Sequence, residues 1–213
     1  MTTVNKVEQI ENYLEELYPN PKCELEYSKD YELLLATMLS AQTTDKRVNQ
    51  VTRVLFRKYP SLEALKDAPR EDIEEIIKPI GTYQRKSLYV KEIATIIVDQ
   101  YGGKTPSDRK ILESLPGVGH KTVNVFLSNI YDVPAIAVDT HVERVSKRLG
   151  LAKKDDSVLA VEKKLEKHFY PSVWGRRHHQ LVLFGRYHCK SMKPECDSCK
   201  LQEICKYYKT LKK

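Results

Sequence analysis

One short segment, Leu115–Thr122 with the sequence LPGVGHKT, constrains the fold more than any other part of the chain. Residues 108–115 predict a helix that ends at the proline, because proline lacks an N–H and clashes with the preceding turn. Gly117 and Gly119 can take positive φ and let a second backbone come close. The apolar spacing predicts a second helix over 120–130. Taken alone, this helix, hairpin and helix are more typical of an ordinary turn than of a binding site.

The backbone N–H groups of the hairpin and of the second helix's first turn favour an anion. First-turn N–H groups lack a partner inside the helix, and the helix dipole makes that end positive. A DNA phosphate fits such a site, in a contact that would carry no sequence information. The net charge of +7 also suits a polyanion, although many proteins are mildly basic.

A lysine and an aspartate follow at positions that chemistry on a DNA sugar can use. Lys121 comes directly after the hairpin, and Asp139 lies further along in Val138–His141. A lysine amine becomes a nucleophile when its lone pair is free, which burial or a nearby cation promotes. A carboxylate can stabilise positive charge or take a proton. Each also has a structural interpretation, Lys121 as a solvated helix lysine and Asp139 as the N-cap of the next helix.

Four of the five cysteines are crowded near the C-terminus with the spacing C-x6-C-x2-C-x5-C. Four thiolates so close together suit one metal centre, and their chemistry leaves zinc and iron–sulfur equally open. Disulfides fit worse, because the polar N-terminus shows no secretory signal and we expect a cytoplasmic protein of bacterial type. The four candidate ligands are Cys189, Cys196, Cys199 and Cys205.

Nearly every other segment has the apolar spacing of a helix, and strand alternation is almost absent. Proline and glycine separate the helical segments. The sequence therefore predicts an all-α fold of about ten short helices. No apolar run approaches the roughly 20 residues that span a membrane. We expect a monomer, because no unused apolar stripe or heptad pattern indicates self-association.

Together the motifs resemble the helix-hairpin-helix DNA glycosylases, and within them the endonuclease III family. The resemblance covers nearly the whole chain, through Leu39–Asp45, Ile80–Tyr83, Leu115–Thr122, Val138–Val142 and the cysteine cluster. The adenine-specific branch has another residue where this chain has a lysine after the hairpin. The resemblance therefore implies an enzyme that both removes a base and cuts the strand.

The implied function is base excision repair of oxidised or damaged pyrimidines in double-stranded DNA, by a bifunctional DNA N-glycosylase and abasic-site lyase. Lys121 would attack the anomeric carbon, the base would leave, and a Schiff base to the opened sugar would remain. Loss of the 3′ phosphate by β-elimination would then nick the strand. Asp139 would either stabilise the positive sugar or take a proton from the amine, and both roles stay open.

The resemblance also implies an architecture of two helical domains. Residues 22–132 would form a six-helix bundle with the hairpin, and residues 1–21 would join 133–213 in a second domain. Lys121 and Asp139 would lie on opposite sides of the cleft between them. The four cysteines would hold a 4Fe–4S cluster with a structural or DNA-sensing role.

Base removal requires the nucleotide to swing out of the duplex, which leaves a gap that side chains must fill. Gln42 matches the family position that enters the gap and bonds to the orphaned base. Thr82 stands where the family usually has a larger apolar residue, so we expect it to fill less of the gap. Further DNA contacts are expected at Gly117, Val118, Gly119, His120, His141, Lys190 and Lys193.

Two alternatives remain at this point. The same fold could serve another lesion, such as a pyrimidine dimer or a mispaired base, since one sequence does not identify the base pocket. The chain could instead be a non-catalytic DNA-binding protein with a structural metal. Lys121 together with Asp139 argues against the second alternative, because phosphate binding requires neither residue in particular.

Overall fold

The computed structural model describes residues 3–211, with side chains from residue 6 onward. Within this range the regular structure is helical and contains no strand, so the predicted all-α class is confirmed. No described helix is long and apolar enough to cross a bilayer. Besides a 3₁₀ turn at Pro171–Val173 and a π-helical turn at Phe184–His188, the helices are α1 Thr3–Leu17, α2 Asp30–Leu39, α3 Asp45–Lys58, α4 Leu62–Asp67, α5 Arg70–Ile77, α6 Tyr83–Tyr101, α7 Arg109–Ser114, α8 His120–Ile130, α9 Thr140–Leu149, α10 Val158–His168, α11 Trp174–Leu183 and α12 Lys206–Leu211.

The chain divides into two compact units, with the divisions after Lys22 and after Tyr131. The unit Cys23–Tyr131 carries α2 to α8, seven α-helices where the resemblance implied six, and two of them have only six residues each. Its centre is α2, in which every residue from Tyr31 to Leu39 is buried. A helix that is apolar on all sides is stable only when neighbours cover it. Here α3 and α8 pack directly on α2, which fixes where α8 begins.

The other unit comprises residues 3–22 and 132–211 of the described chain and carries α1 and α9 to α12. Its core brings Ile10 and Leu14 of α1 together with Val142 and Val145 of α9 and with Leu181 of α11, all fully buried. The π-helical turn packs on α9 and leads into the first cysteine of the C-terminal cluster. This packing fixes the start of α9 and the cysteine segment within one core.

Candidate active-site residues and cysteine pocket

The predicted hairpin forms between α7 and α8. Asp108 caps α7, because its side chain accepts a hydrogen bond from the N–H of Ile111 at 3.0 Å. Gly117 has φ +71°, and a Cβ on it would lie 2.4 Å from the Tyr89 ring. The turn therefore requires glycine at this position for both its backbone conformation and its contact with α6.

Gly119 does not take the positive φ that its residue type permits. Gly119 has φ −106° and serves as the N-cap of α8, with nothing within 4 Å of the position that a Cβ would take. One left-handed residue, Gly117, is enough to reverse the chain here. Gly119, which has no side chain, leaves open space in front of α8. Val118 is buried, and its N–H donates to Leu115 O at 3.1 Å. Its N–H is therefore less available to bind a phosphate than those of the other hairpin residues.

Lys121 is the second residue of α8 and is exposed, whereas Thr122 to Leu127 behind it are all buried. Its neighbour His120 is exposed and bonded within the same unit. The His120 Nδ1 lies 3.3 Å from Glu113 Oε1, and its Nε2 lies 3.3 Å from the amide of Asn124. Lys121 is therefore an accessible amine at the positive end of α8, as its structural interpretation expected, and the burial that would free its lone pair is not found.

Asp139 is half-buried and caps α9. Its Oδ1 accepts the N–H of His141 at 2.9 Å and the N–H of Val142 at 2.8 Å. Its Oδ2 makes no hydrogen bond within residues 3–211, so one carboxylate oxygen positions the group and the other remains available. The structural interpretation of Asp139 as an N-cap is thus confirmed, and it leaves a second role open.

His141 is half-buried beside Asp139. The guanidinium of Arg144 donates to its Nδ1 at 3.2 Å and to Gly185 O at 2.7 Å. Because Arg144 can only donate, a neutral His141 carries its proton on Nε2. Burial is the main cause that lowers the pKa of His141, opposed by the nearby Asp139. Gly185 is required at this contact, since a Cβ there would lie 2.8 Å from the His141 Cβ.

Gln42 and Thr82, the two residues expected to enter DNA, share an unusual backbone. Both are exposed, and both have positive φ, 57° at Gln42 and 56° at Thr82. A β-branched residue is a clear outlier in this region. Such strain persists only where surrounding structure enforces it, and it is concentrated at functional sites. The sequence pattern held no sign of these conformations.

The four C-terminal cysteines line one pocket with about 340 Å³ of empty space, part of it open to solvent. No disulfide joins them. Burial raises the pKa of Cys199 to about 11 and also raises the pKa of Cys196, so a metal would have to displace their protons. Thiols from four positions that surround one open volume fit the thiolate set of an iron–sulfur cluster.

Arg148 holds the first turn of the cysteine segment, and sequence reasoning missed it. Its guanidinium donates to the carbonyls of Lys190 at 2.6 Å and Ser191 at 3.0 Å, and contacts Cys189 Sγ at 3.4 Å. It also lies 4.2 Å over the ring of Tyr207. Since these partners are far away along the chain, the residue resembles any helix arginine in the sequence.

Two of the lysines near the cysteines are ion-paired. Lys190 bonds to Glu195 at 2.6 Å, and Lys200 bonds to Glu16 at 2.5 Å. Lys193 is exposed and has φ 49°, another left-handed residue. Of the three lysines near the cysteines, Lys193 is the one that makes no ion pair with the described residues.

Comparison with known proteins first gives the class. Residues 35–171 match the family model described as HhH-GPD superfamily base excision DNA repair protein. The chain is 45% identical to endonuclease III of Bacillus subtilis over 206 residues, which cover 97% of this chain and 94% of that protein. It is 40% identical to endonuclease III of Escherichia coli over 206 residues, 96% of this chain and 97% of that protein.

The solved structures agree with this class. A trapped endonuclease III–DNA covalent intermediate is similar to the chain with a TM-score of 0.95 and 44% identity, over 100% of both chains. A non-covalent endonuclease III–DNA complex gives the same values. The chain belongs to the endonuclease III family, and the resemblance drawn from its motifs is confirmed.

Proposed function

We propose that the chain is a bifunctional DNA glycosylase and abasic-site lyase of base excision repair, which removes oxidised or otherwise damaged pyrimidines from double-stranded DNA. The observation that carries the proposal is the exposed Lys121 at the start of α8, directly after the glycine hairpin. Family membership supports the same activity. We further propose that the enzyme acts as a monomer in the cytoplasm of a bacterial-type cell.

Lys121 is the proposed nucleophile. Its amine forms a bond to the anomeric carbon while the bond from that carbon to the base breaks, and the base leaves with a proton. The sugar ring opens to give a Schiff base to the lysine. Removal of a proton from the neighbouring sugar carbon then expels the 3′ phosphate and nicks the strand. The exposed position of Lys121 supports this role, because a sugar can reach the amine without rearrangement of the helix.

Asp139 is the proposed carboxylate partner. Its Oδ1 is committed to the start of α9, which holds the group in one orientation. Its second oxygen can stabilise positive charge on the sugar or accept a proton from the amine. Both roles require an ionisable carboxylate that is held in one position, and the hydrogen bonds of the cap hold it there.

DNA contacts are proposed at the strained loops and at the hairpin. Gln42 and Thr82 would fill the gap left by the extruded nucleotide, a role supported by their exposed left-handed backbones. The N–H groups from Gly119 onward would bind a phosphate. His141, with its proton on Nε2, and the exposed Lys193 are further candidates. The phosphate contacts among these do not read sequence.

A 4Fe–4S cluster is the proposed cofactor, held by Cys189, Cys196, Cys199 and Cys205. The pocket that these residues share and the family support it. When bound, the cluster would join four points of the C-terminal segment and so stabilise the DNA-binding surface, with no part in base removal. Iron analysis of the purified protein should give about four iron atoms per chain. Zinc in place of iron would contradict the proposal.

The test of the activity uses a duplex with one oxidised thymine. Wild type should release the base and nick the strand, and Lys121→Ala should do neither while it keeps its helical content. Lys163→Ala is the matched control, since Lys163 is also an exposed helix lysine. A panel of lesions, including a pyrimidine dimer and mispaired bases, then defines the substrate range. Binding without any cleavage by wild type would favour the non-catalytic alternative.

A further inference from the structure

Lys86 is a buried lysine that no part of the proposed chemistry uses. It lies in the first turn of α6 with 4% of its surface exposed. Its Nζ donates to Leu39 O at 2.9 Å, to Ala41 O at 2.8 Å and to Thr43 Oγ1 at 3.4 Å. An ammonium has three N–H donors, so these three oxygens satisfy all of them.

The three acceptors all belong to the end of α2 and the loop that follows it. Leu39 is the last residue of α2, and Ala41 and Thr43 flank Gln42 on either side. The carbonyls at a helix C-terminus lack partners and carry partial negative charge, so a cation is favourable there. The Lys86 side chain therefore fixes both residues that neighbour the strained Gln42.

The backbone of Lys86 is bonded to the second strained residue. Its N–H donates to Thr82 O at 3.0 Å, and Thr82 is the left-handed N-cap of α6. One residue thus contacts the segments of both positive-φ residues that are expected to enter DNA, through its ammonium on one side and its N–H on the other. Burial lowers the pKa of Lys86, which shows that holding a cation here has a cost.

We propose that Lys86 is a positioning residue whose side chain holds the Gln42 loop in the conformation that enters damaged DNA. The inference rests on the proposed function, because it assumes that Gln42 fills the gap beside an extruded nucleotide. Lys86 itself would not touch DNA. It would act by keeping Gln42 preorganised in a strained backbone that the loop alone does not favour.

The chain contains a matched control on the same helix. Lys91 of α6 also donates to two carbonyls at a helix end. Its Nζ bonds to Lys66 O at 2.7 Å and also bonds to Ala68 O. Those carbonyls lie at the C-terminal end of α4, outside the segments of both strained residues. Lys91→Met therefore removes a lysine of the same kind without disturbing the Gln42 loop.

The experiment measures binding to a duplex with a reduced abasic site, which cannot form a Schiff base, with each of the four bases opposite it. Wild type, Lys86→Met, Gln42→Ala, the double variant and Lys91→Met are compared, and the unfolding midpoint of each is recorded. Lys86→Met and Gln42→Ala should each weaken binding about tenfold, and the double variant should be no weaker than either alone. Lys86→Met should also remove any dependence on the opposite base, whereas Lys91→Met should stay within about twofold of wild type.

Losses that multiply in the double variant, or wild-type binding by folded Lys86→Met, would overturn the positioning role. If Lys86→Met does not fold, Lys86→Gln carries the same comparison, because it keeps two N–H donors without the charge. Wild type is also assayed for nicking of an unreduced abasic site. Failure of that assay would reject the proposed function itself, whereas success with unchanged Lys86 variants would reject only this inference.

Discussion

Asp139 Oδ1 accepts the backbone N–H of Val142 at 2.8 Å, so the proposed catalytic carboxylate is also the cap that starts α9. The two functions can be separated by substitution. Asp139→Asn keeps an oxygen for the cap but has no charge and cannot take a proton. Its unfolding free energy should stay within about 1 kcal/mol of wild type, whereas Asp139→Ala should lose about 1 kcal/mol or more.

The rate of base release should instead fall in both Asp139 variants, because it depends on the carboxylate and not on the cap. Both Asp139 variants should lose about 100-fold or more in single-turnover rate, since neither supplies a carboxylate to the reacting sugar. Asp139→Asn with the rate of wild type would show that the residue is only a helix cap.

The two hairpin glycines should respond differently to alanine. Gly117→Ala places a Cβ 2.4 Å from the Tyr89 ring at φ +71°, so it should destabilise the unit by about 2 kcal/mol or more. Gly119→Ala should cost less than about 1 kcal/mol, because its φ is ordinary and the space around it is open. Chemical denaturation measures both. Equal losses at the two positions would contradict the hairpin geometry.

Thr82 combines backbone strain with a side chain that fills little space. Thr82→Leu removes the β-branch from a left-handed residue and adds apolar volume, so binding to a duplex with an abasic site should become stronger. Thr82→Gly should raise stability by about 1 kcal/mol and weaken the same binding. Unchanged or weaker binding by Thr82→Leu would reject the gap-filling role.

Acid should loosen the contact between α1 and α11. Hydrogen bonds from Arg176 and Arg177 lower the pKa of Glu15 from its ordinary 4.5 to about 2. The folded state thus binds this proton less readily than the unfolded state, and the stabilisation is complete above pH 4.5 and is lost as the pH falls towards 2. Solvent screening limits its size, because Glu15 is 36% exposed.

Glu15→Gln should therefore be less stable than wild type at pH 6 and should lose less stability between pH 5 and pH 2. Urea titrations across this range measure the difference. Parallel curves for the two proteins would show that the ion pairs with Arg176 and Arg177 do not stabilise the fold.

Local rules predicted much of the fold and of the site. The α8 bounds His120–Ile130 and the Asp139 cap both follow from residue types within one turn of the chain. Motif similarity then correctly indicated the family. What local rules missed depends on contacts between distant segments, as in Lys86 with Leu39 and Ala41.

The backbone conformations show the same limit. Gly117 takes positive φ and Gly119 does not, although the sequence treats the two glycines alike. The first of them lies against Tyr89 of another helix and the second faces open space, a difference that residue type alone does not indicate. Likewise the positive φ of Gln42 and Thr82 has no cue in residue type, since neither glutamine nor threonine favours it.

Borohydride trapping on a duplex with one abasic site tests the central claim most directly, with wild type beside Lys121→Ala. Borohydride reduces a Schiff base to a stable covalent bond, so wild type should give a protein–DNA adduct and Lys121→Ala should give none. Absence of an adduct from well-folded wild type with its metal centre loaded would contradict the lyase mechanism. That result would leave a hydrolytic glycosylase centred on Asp139 or a DNA-binding protein without catalysis.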